Sequence, residues 1–215
     1  MKQLLYLMFI AMFIVSCKKK DNEYIISGTV INPELNSPIG QTQLSLWGTK
    51  ISSGIVQNQQ EKIGTTVSSS NGTFEFRFKK EVYSNLKIIL NKENYFENEY
   101  NINPQNLKPG DAYTVQIPLH ARSWLKTIIK NVDMQNANDQ ILYKLTLPYQ
   151  NCHSCCSELE KQFTGIGVDT SWVCPVYGNK NISVLWVFSN GQQTVPHNDT
   201  LFIQPFDTVL HTIFY

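Results

Sequence analysis

Five residues crowded near position 154 are where this sequence could do chemistry. Cys152-His153-Ser154-Cys155-Cys156 puts three thiols and an imidazole within five positions, and a further thiol, Cys174, follows eighteen residues after Cys156. Three chemistries fit that pattern. In an oxidising compartment the four thiols would pair as disulfides. Four cysteines allow three pairings; Cys174 is expected to bond Cys152, Cys155 or Cys156, and the remaining two to pair locally. A bridge to Cys174 closes a loop of about 20 residues, which contributes roughly 3 kcal/mol in the chain-entropy model. Alternatively, thiolates with or without His153 have the softness for Zn²⁺ or Cu(I), although adjacent ligands cannot all point inward without distorting the backbone. Lastly, Cys152-x-x-Cys155 has redox spacing, and a helix starting just after it would favour a thiolate. That third reading lacks the βαβ pattern that usually frames it. Disulfides are the leading expectation, with Cys152, Cys155, Cys156 and Cys174 as the candidates.

The other chemistry-bearing residues are dispersed. His120, His197 and His211 read as surface or strand positions. The sequence contains no nucleophile elbow, no glycine-rich phosphate loop and no HExxH. Of the tryptophans, Trp124 and Trp186 lie in apolar runs and are expected in the core. Trp172, in Asp169-Thr-Ser-Trp-Val, reads as a loop residue and is the candidate for ligand contact. No catalytic, cofactor-binding or metal-binding residue is assigned.

The elements that must position these residues read as strands. In residues 121–215, Trp124–Val132, Ile141–Leu147, Ile182–Phe188, Thr200–Ile203 and Val209–Tyr215 carry β-type patterning. One helix is expected, over Ser154–Gln162, with Leu159 and Phe163 four apart and Gly165 placed to end it. In residues 23–120, Tyr24–Val30 is rich in β-branched residues. Phe74, Phe76 and Phe78 alternate with Glu75, Arg77 and Lys79, which marks a half-buried strand. Asn71-Gly72 before it signals a type I′ hairpin. Closely spaced short strands point to antiparallel β-sandwiches. No internal repeat is visible. The fold class is therefore all-β: two antiparallel sandwiches, with one short helix in the second.

Composition narrows the function classes. The chain has 215 residues, 42% hydrophobic and 16% charged, with 18 Lys+Arg against 17 Asp+Glu. That balance leaves no excess of positive charge for a nucleic-acid partner. Scarce Ala beside abundant Asn, Thr and Ile disfavours a helical bundle. At the N-terminus, one lysine precedes an uncharged run from Leu4 to Val15, long enough for a signal-peptide core and too short to span a bilayer. The run ends Ile14-Val15-Ser16-Cys17, which resembles the bacterial lipobox. That resemblance implies a signal peptide over 1–16, removed before Cys17. Cys17 would carry the lipid as a thioether, and its freed amine a further acyl chain. Residues 17–22 would then be a lipidated tether, with Lys18–Lys20 beside the membrane.

A second resemblance covers about 95 residues. Gly28-Thr-Val30, the Pro38-Ile-Gly40 loop leading into Leu44-Ser-Leu46, and Asn71-Gly72-Thr-Phe74-Glu-Phe76 look like the carboxypeptidase regulatory-like, or transthyretin-like, β-sandwich. In that family the module is an accessory or spacer, and no catalytic residue is carried over from it. The whole chain resembles small lipoproteins of the Bacteroidetes type. The expected organisation is such a sandwich over 23–120 and a second one, Ig-like or transthyretin-like, over 121–215 with the cysteine cluster. These resemblances imply a non-enzymatic binding or assembly role at the outer membrane. The partners would be the membrane, through the lipid, and an envelope protein or a glycan. The loops 51–62 and 189–199 are the expected contact segments. A thiol-redox or metal-handling lipoprotein centred on Cys152–Cys156 is the alternative.

Overall fold

The structure, a computed structural model, describes residues 22–133 and 137–215. The expected signal peptide over 1–16, Cys17 and most of the expected tether over 17–22 lie outside the described residues. The first half contains β1 (Glu23–Asn32), β2 (Ser37–Pro38), β3 (Gln43–Ser52), β4 (Ile55–Val56), β5 (Glu61–Val67), β6 (Thr73–Lys79), β7 (Tyr83–Asn91), β8 (Asn98–Ile102) and β9 (Ala112–Pro118). The second contains β10 (Arg122–Lys130), β11 (Gln140–Thr146), β12 (Lys161–Thr164), β13 (Asp169–Tyr177), β14 (Lys180–Ser189), β15 (Thr194–Ile203) and β16 (Thr208–Phe214). Among the described residues the chain is all-β, with no α-helix and a short 3₁₀ turn at Pro104–Asn106.

Period-2 sequence becomes sandwich core. Along β6, Phe74, Phe76 and Phe78 are buried while Glu75, Arg77 and Lys79 stay wet. Their rings meet Ile26 and Val30 of β1 and, from the opposing sheet, Leu44, Leu46, Leu86, Ile88 and Leu90. A separate cluster fills the second half: Leu125 and Ile129 of β10 pack with Ile141, Tyr143, Leu145, Val176, Val184 and Ile213. The clusters share no member. Burying each such side chain contributes about 1.5–3 kcal/mol.

The two halves repeat one topology. The first has sheets ordered β6-β1-β9 and β5-β3-β7-β8; the second has β13-β10-β16 and β12-β11-β14-β15. Taken in chain order, β1, β3, β5, β6, β7, β8 and β9 thus correspond to β10 through β16, and only the two-residue β2 and β4 lack counterparts. The sequence hides this repeat, because pairing order rather than residue identity is what recurs.

Three expectations are corrected. The sheets are not wholly antiparallel: β9 runs parallel to β1, and β16 parallel to β10. In each half the last strand returns beside the first after a long excursion through the opposing sheet, which is the crossover that parallel pairing needs. Asn71-Gly72 does not make a type I′ hairpin. Only Gly72 has positive φ (+76°), and the turn hands the chain from β5 in one sheet to β6 in the other. The helix over Ser154–Gln162 does not form, and Lys161–Thr164 is a strand instead. Its backbone is committed elsewhere: the Cys155 N–H goes to the Cys152 carbonyl and the Cys156 N–H to Pro175 on β13. The Glu158 carboxylate takes the Leu147 N–H.

Candidate functional site

Pro148 ends β11, and the following loop carries the cysteines as two disulfides with different surroundings. Cys156 bonds Cys174 of β13 (Cα–Cα 5.0 Å), and Cys156 is only 5% exposed within the second core. Cys152 bonds Cys155 (Cα–Cα 5.3 Å), closing a small ring whose His153 and Ser154 are exposed. All four sulfurs are bonded, so in this state neither thiolate ligation nor attack by a free thiolate is available at the cluster.

The same loop reaches the junction between the halves. The Tyr177 N–H donates to the Tyr149 hydroxyl (2.9 Å), and the Tyr149 ring stacks on Tyr177 at 4.0 Å. Tyr177 in turn stacks on His120 at 4.1 Å and meets the edge of Phe96. His120 Nδ1 donates to Glu34 Oε1 (2.8 Å), with Lys180 Nζ 3.5 Å from the same oxygen. Asn179 Nδ2 donates to the Glu34 carbonyl (2.8 Å). Backbone bonds stitch the segments together: Phe96 N–H to His120, Arg122 N–H to Asn94, and Gly178 N–H to Ala121.

Glu34 sits at the centre, its side chain 3% exposed. Burial pushes its carboxyl up, but the His120 hydrogen bond and charge, its own backbone N–H and the Lys180 ammonium together hold it below the ordinary 4.5. A carboxyl depressed in the folded state stabilises above its unfolded value and loses that contribution as pH falls through the folded one. Glu34→Gln is therefore expected to lower stability by about 1–2 kcal/mol at neutral pH. The gap should narrow as pH falls below the ordinary 4.5 and close once the native carboxyl is itself protonated, which its depressed value places lower still. Urea midpoints of both proteins across that range check this; a gap that does not depend on pH would refute it.

Two tryptophans sit elsewhere than expected. Trp172 is on β13, not in a loop, half-buried against the Tyr143 edge (5.2 Å) and the Phe163 ring (6.0 Å), with Lys161 over its face. Trp124 is not core. On β10 the inward residues are Ser123, Leu125, Thr127 and Ile129, so Arg122, Trp124, Lys126 and Ile128 share the outer face. Trp186 is half-buried, stacked on His197 at 3.8 Å, and donates Nε1–H to Asp199 (2.8 Å). His211, buried on β16, bonds the same Asp199 oxygen (3.0 Å) and so pins β16 to β15 of the facing sheet. The Trp186 hydrogen bond, opposed by some burial and aided by His211, holds Asp199 below its ordinary range. The expected contact loops are also partly strand: 51–62 contains the β3–β4 hairpin, and 189–199 is a short Asn190–Gln193 turn followed by β15.

No protein-family model matches the chain, and no curated protein matches it by sequence. Among solved structures it is similar to the Bacillus anthracis TIE protein at 8% identity and a TM-score of 0.38, covering 89% of this chain and 34% of that one. The chain thus spans about a third of that protein's length. It is similar to 3-chlorocatechol 1,2-dioxygenase from Rhodococcus opacus 1CP at 13% identity and a TM-score of 0.35, over 46% of this chain and 60% of the enzyme. It is also similar to the minor pilin of Streptococcus agalactiae at 10% identity and a TM-score of 0.33, over 89% and 94% of the two chains. Likenesses this remote carry no argument about function.

What the arrangement can do follows from its own residues. Among the described residues no group of three or more His, Cys, Asp or Glu is placed to hold a metal ion. The cysteine loop fastens one end of the second sandwich and supplies Tyr149 to the junction. Glu34, Tyr149, Tyr177 and Lys180 carry no motif in their spacing and were not singled out from the sequence, while His120, expected at a surface or strand position, lies half-buried in the β9–β10 connection. The one faint signal is the pair of prolines bracketing Glu34, which marks a rigid loop.

Proposed function

We propose that this chain is a lipid-anchored envelope protein with a non-enzymatic binding or assembly role. On this reading, residues 23–120 form a domain of carboxypeptidase regulatory-like type, and residues 121–215 form a second domain of the same plan. The close packing at Gly28 and the Gly72 turn before Phe74-x-Phe76 support that family. Two disulfides suit a chain that works outside the reducing cytoplasm. The membrane attachment is assigned to Cys17, which lies outside the described residues.

The observation that carries the binding role is the outer face of sheet β13-β10-β16. Val173, Leu210 and Phe214 are 54%, 57% and 61% exposed there, flanking Lys126 and Lys130 of β10. Half-buried Trp124 and Ile128 lie on the same face. Exposed apolar side chains gathered on one sheet face mark an interaction surface rather than random scatter. The partner would be an envelope protein or a glycan, met at the outer membrane. Metabolic labelling with a palmitate analogue tests the anchor. The native protein should be labelled and fractionate with membranes, and Cys17→Ser should be unlabelled and released. Labelling that survives Cys17→Ser would refute the anchor.

A second reading, thiol–disulfide exchange, is favoured by one observation. The Cys152–Cys155 bond lies at the surface beside a cleft of about 390 Å³ lined by Tyr149, His153 and Glu158.

A further inference from the structure

A larger cleft, of about 660 Å³, lies where the two halves meet, and its walls come from three separate segments. The β7–β8 loop brings Lys92, Glu93, Asn94, Tyr95 and Glu97. The start of β10 brings Arg122 and Trp124. The tip of the Cys152–Cys155 ring brings Ser154. These walls are fixed before any ligand arrives. Tyr95 bridges to Ala121, the Arg122 N–H donates to the Asn94 carbonyl, and the Tyr95 ring rests against Phe206 at 5.2 Å. The disulfide holds the third wall. A preformed site spares a ligand the cost of ordering loops.

The lining selects a chemistry. Lys92 and Arg122 are matched by Glu93 and Glu97, so the cleft offers no net field to a strongly charged ligand. Carboxylates, an amide, a guanidinium and a hydroxyl around two aromatic rings are too polar for a wholly apolar ligand. An extended peptide is disfavoured as well. β10 is paired on both sides, by β13 and β16, so no backbone edge is open where Trp124 stands. The Arg122 guanidinium lies over the Phe96 ring, 5.0 Å from its centroid, so its side chain is held in place at the edge of the cleft.

We infer that the junction cleft binds a neutral oligosaccharide. An apolar sugar face would lie on Trp124, and hydroxyl groups would meet Arg122, Asn94 and the acidic side chains. This rests on the reading of the chain as a binding protein and names the ligand class that one face of it takes.

The test titrates the full mature chain in detergent with cellohexaose, maltohexaose, xylohexaose and chitohexaose, following heat and tryptophan fluorescence. At least one should bind. Trp124→Ala and, separately, Arg122→Gln should each weaken it roughly tenfold or more. Circular dichroism and an intact-mass check of both disulfides would confirm that the variants are folded. Absence of binding by all four sugars at millimolar concentration overturns the inference. So does binding indifferent to both substitutions, or tighter binding of an oligogalacturonate, which is anionic. A photo-cross-linker at position 154 of the membrane-anchored protein separates the two readings. Capture of an envelope protein without sugar binding overturns the saccharide assignment and leaves the binding role standing. Neither capture nor sugar binding removes both.

Discussion

Gly28→Ala is expected to destabilise the protein by about 3 kcal/mol or more, at the upper end of the range for overpacked sites. Gly28 lies in β1, opposite Val115 of β9 on one side and Phe74 of β6 on the other. A Cβ built there would stand 2.2 Å from the Val115 carbonyl oxygen and 2.9 Å from the Phe74 ring. The ring has nowhere to retreat, because Phe74 is buried in the first core. The carbonyl belongs to a paired strand, so moving it means separating β1 from β9. Gly64 is the control. A Cβ there meets only Phe76 Cδ1, at 3.8 Å, so Gly64→Ala should change stability by no more than about 0.5 kcal/mol. Equilibrium urea unfolding of both variants checks the contrast. A Gly28→Ala protein as stable as the native chain would mean that β1 and β9 do not pack as described.

Strands with a clean period were legible because burial on one face leaves a mark every second residue. Phe74-x-Phe76-x-Phe78 is the strongest case, and each ring is in the core. What the sequence could not show was which strand lies beside which. β1 and β9 pair across more than 80 residues, and no local pattern distinguishes a parallel partner from an antiparallel one. The helix expected at Ser154–Gln162 failed for a related reason. Leu159 and Phe163 are spaced as a helix face, but two disulfides and Glu158 draw that backbone into a loop. Gly72 was identified as a turn, with the wrong geometry. Its carbonyl accepts the Val30 N–H, and its own N–H donates to Ser69, which fixes a corner between sheets.

The candidate site divides along the same line. The cysteines were visible because identity and proximity coincide in the sequence. The junction was not: Glu34, His120 and Tyr177 are polar or aromatic residues of ordinary kinds, and only folding brings them into contact. Trp124 and Trp172 exchanged places for one reason. Both lie in strands, where the face a residue occupies depends on register, and a one-residue difference moves a side chain from core to surface. Register also explains why apolar side chains gather on the outer face of one sheet, since half-buried Trp124 and exposed Leu210 and Phe214 all fall on the outer phase of β10 and β16.

Removing Cys156 and Cys174 together is expected to cost about 3 kcal/mol, and removing Cys152 and Cys155 about 2 kcal/mol at most, because the entropic contribution grows with the loop closed. The separations are 18 residues for the first bond and 3 for the second. Burial widens the difference. Cys156 belongs to the second core and its bonded partner Cys174 packs against it, so Cys156→Ala with Cys174→Ala also loosens the contact between the loop and β13. The Cys152–Cys155 ring is local and faces solvent, and the Tyr149–Tyr177 stack that ties its loop to the junction does not depend on it. Urea midpoints of the two double-alanine variants, with intact mass confirming the bond that remains, measure both terms. Equal losses, or a larger loss from the surface ring, would show that the buried staple does not hold the second sandwich together. If the surface pair proves dispensable for folding, thiol exchange at Cys152 and Cys155 can be assayed without a stability defect. A redox phenotype in that variant would then speak for chemistry at the ring rather than for its architecture.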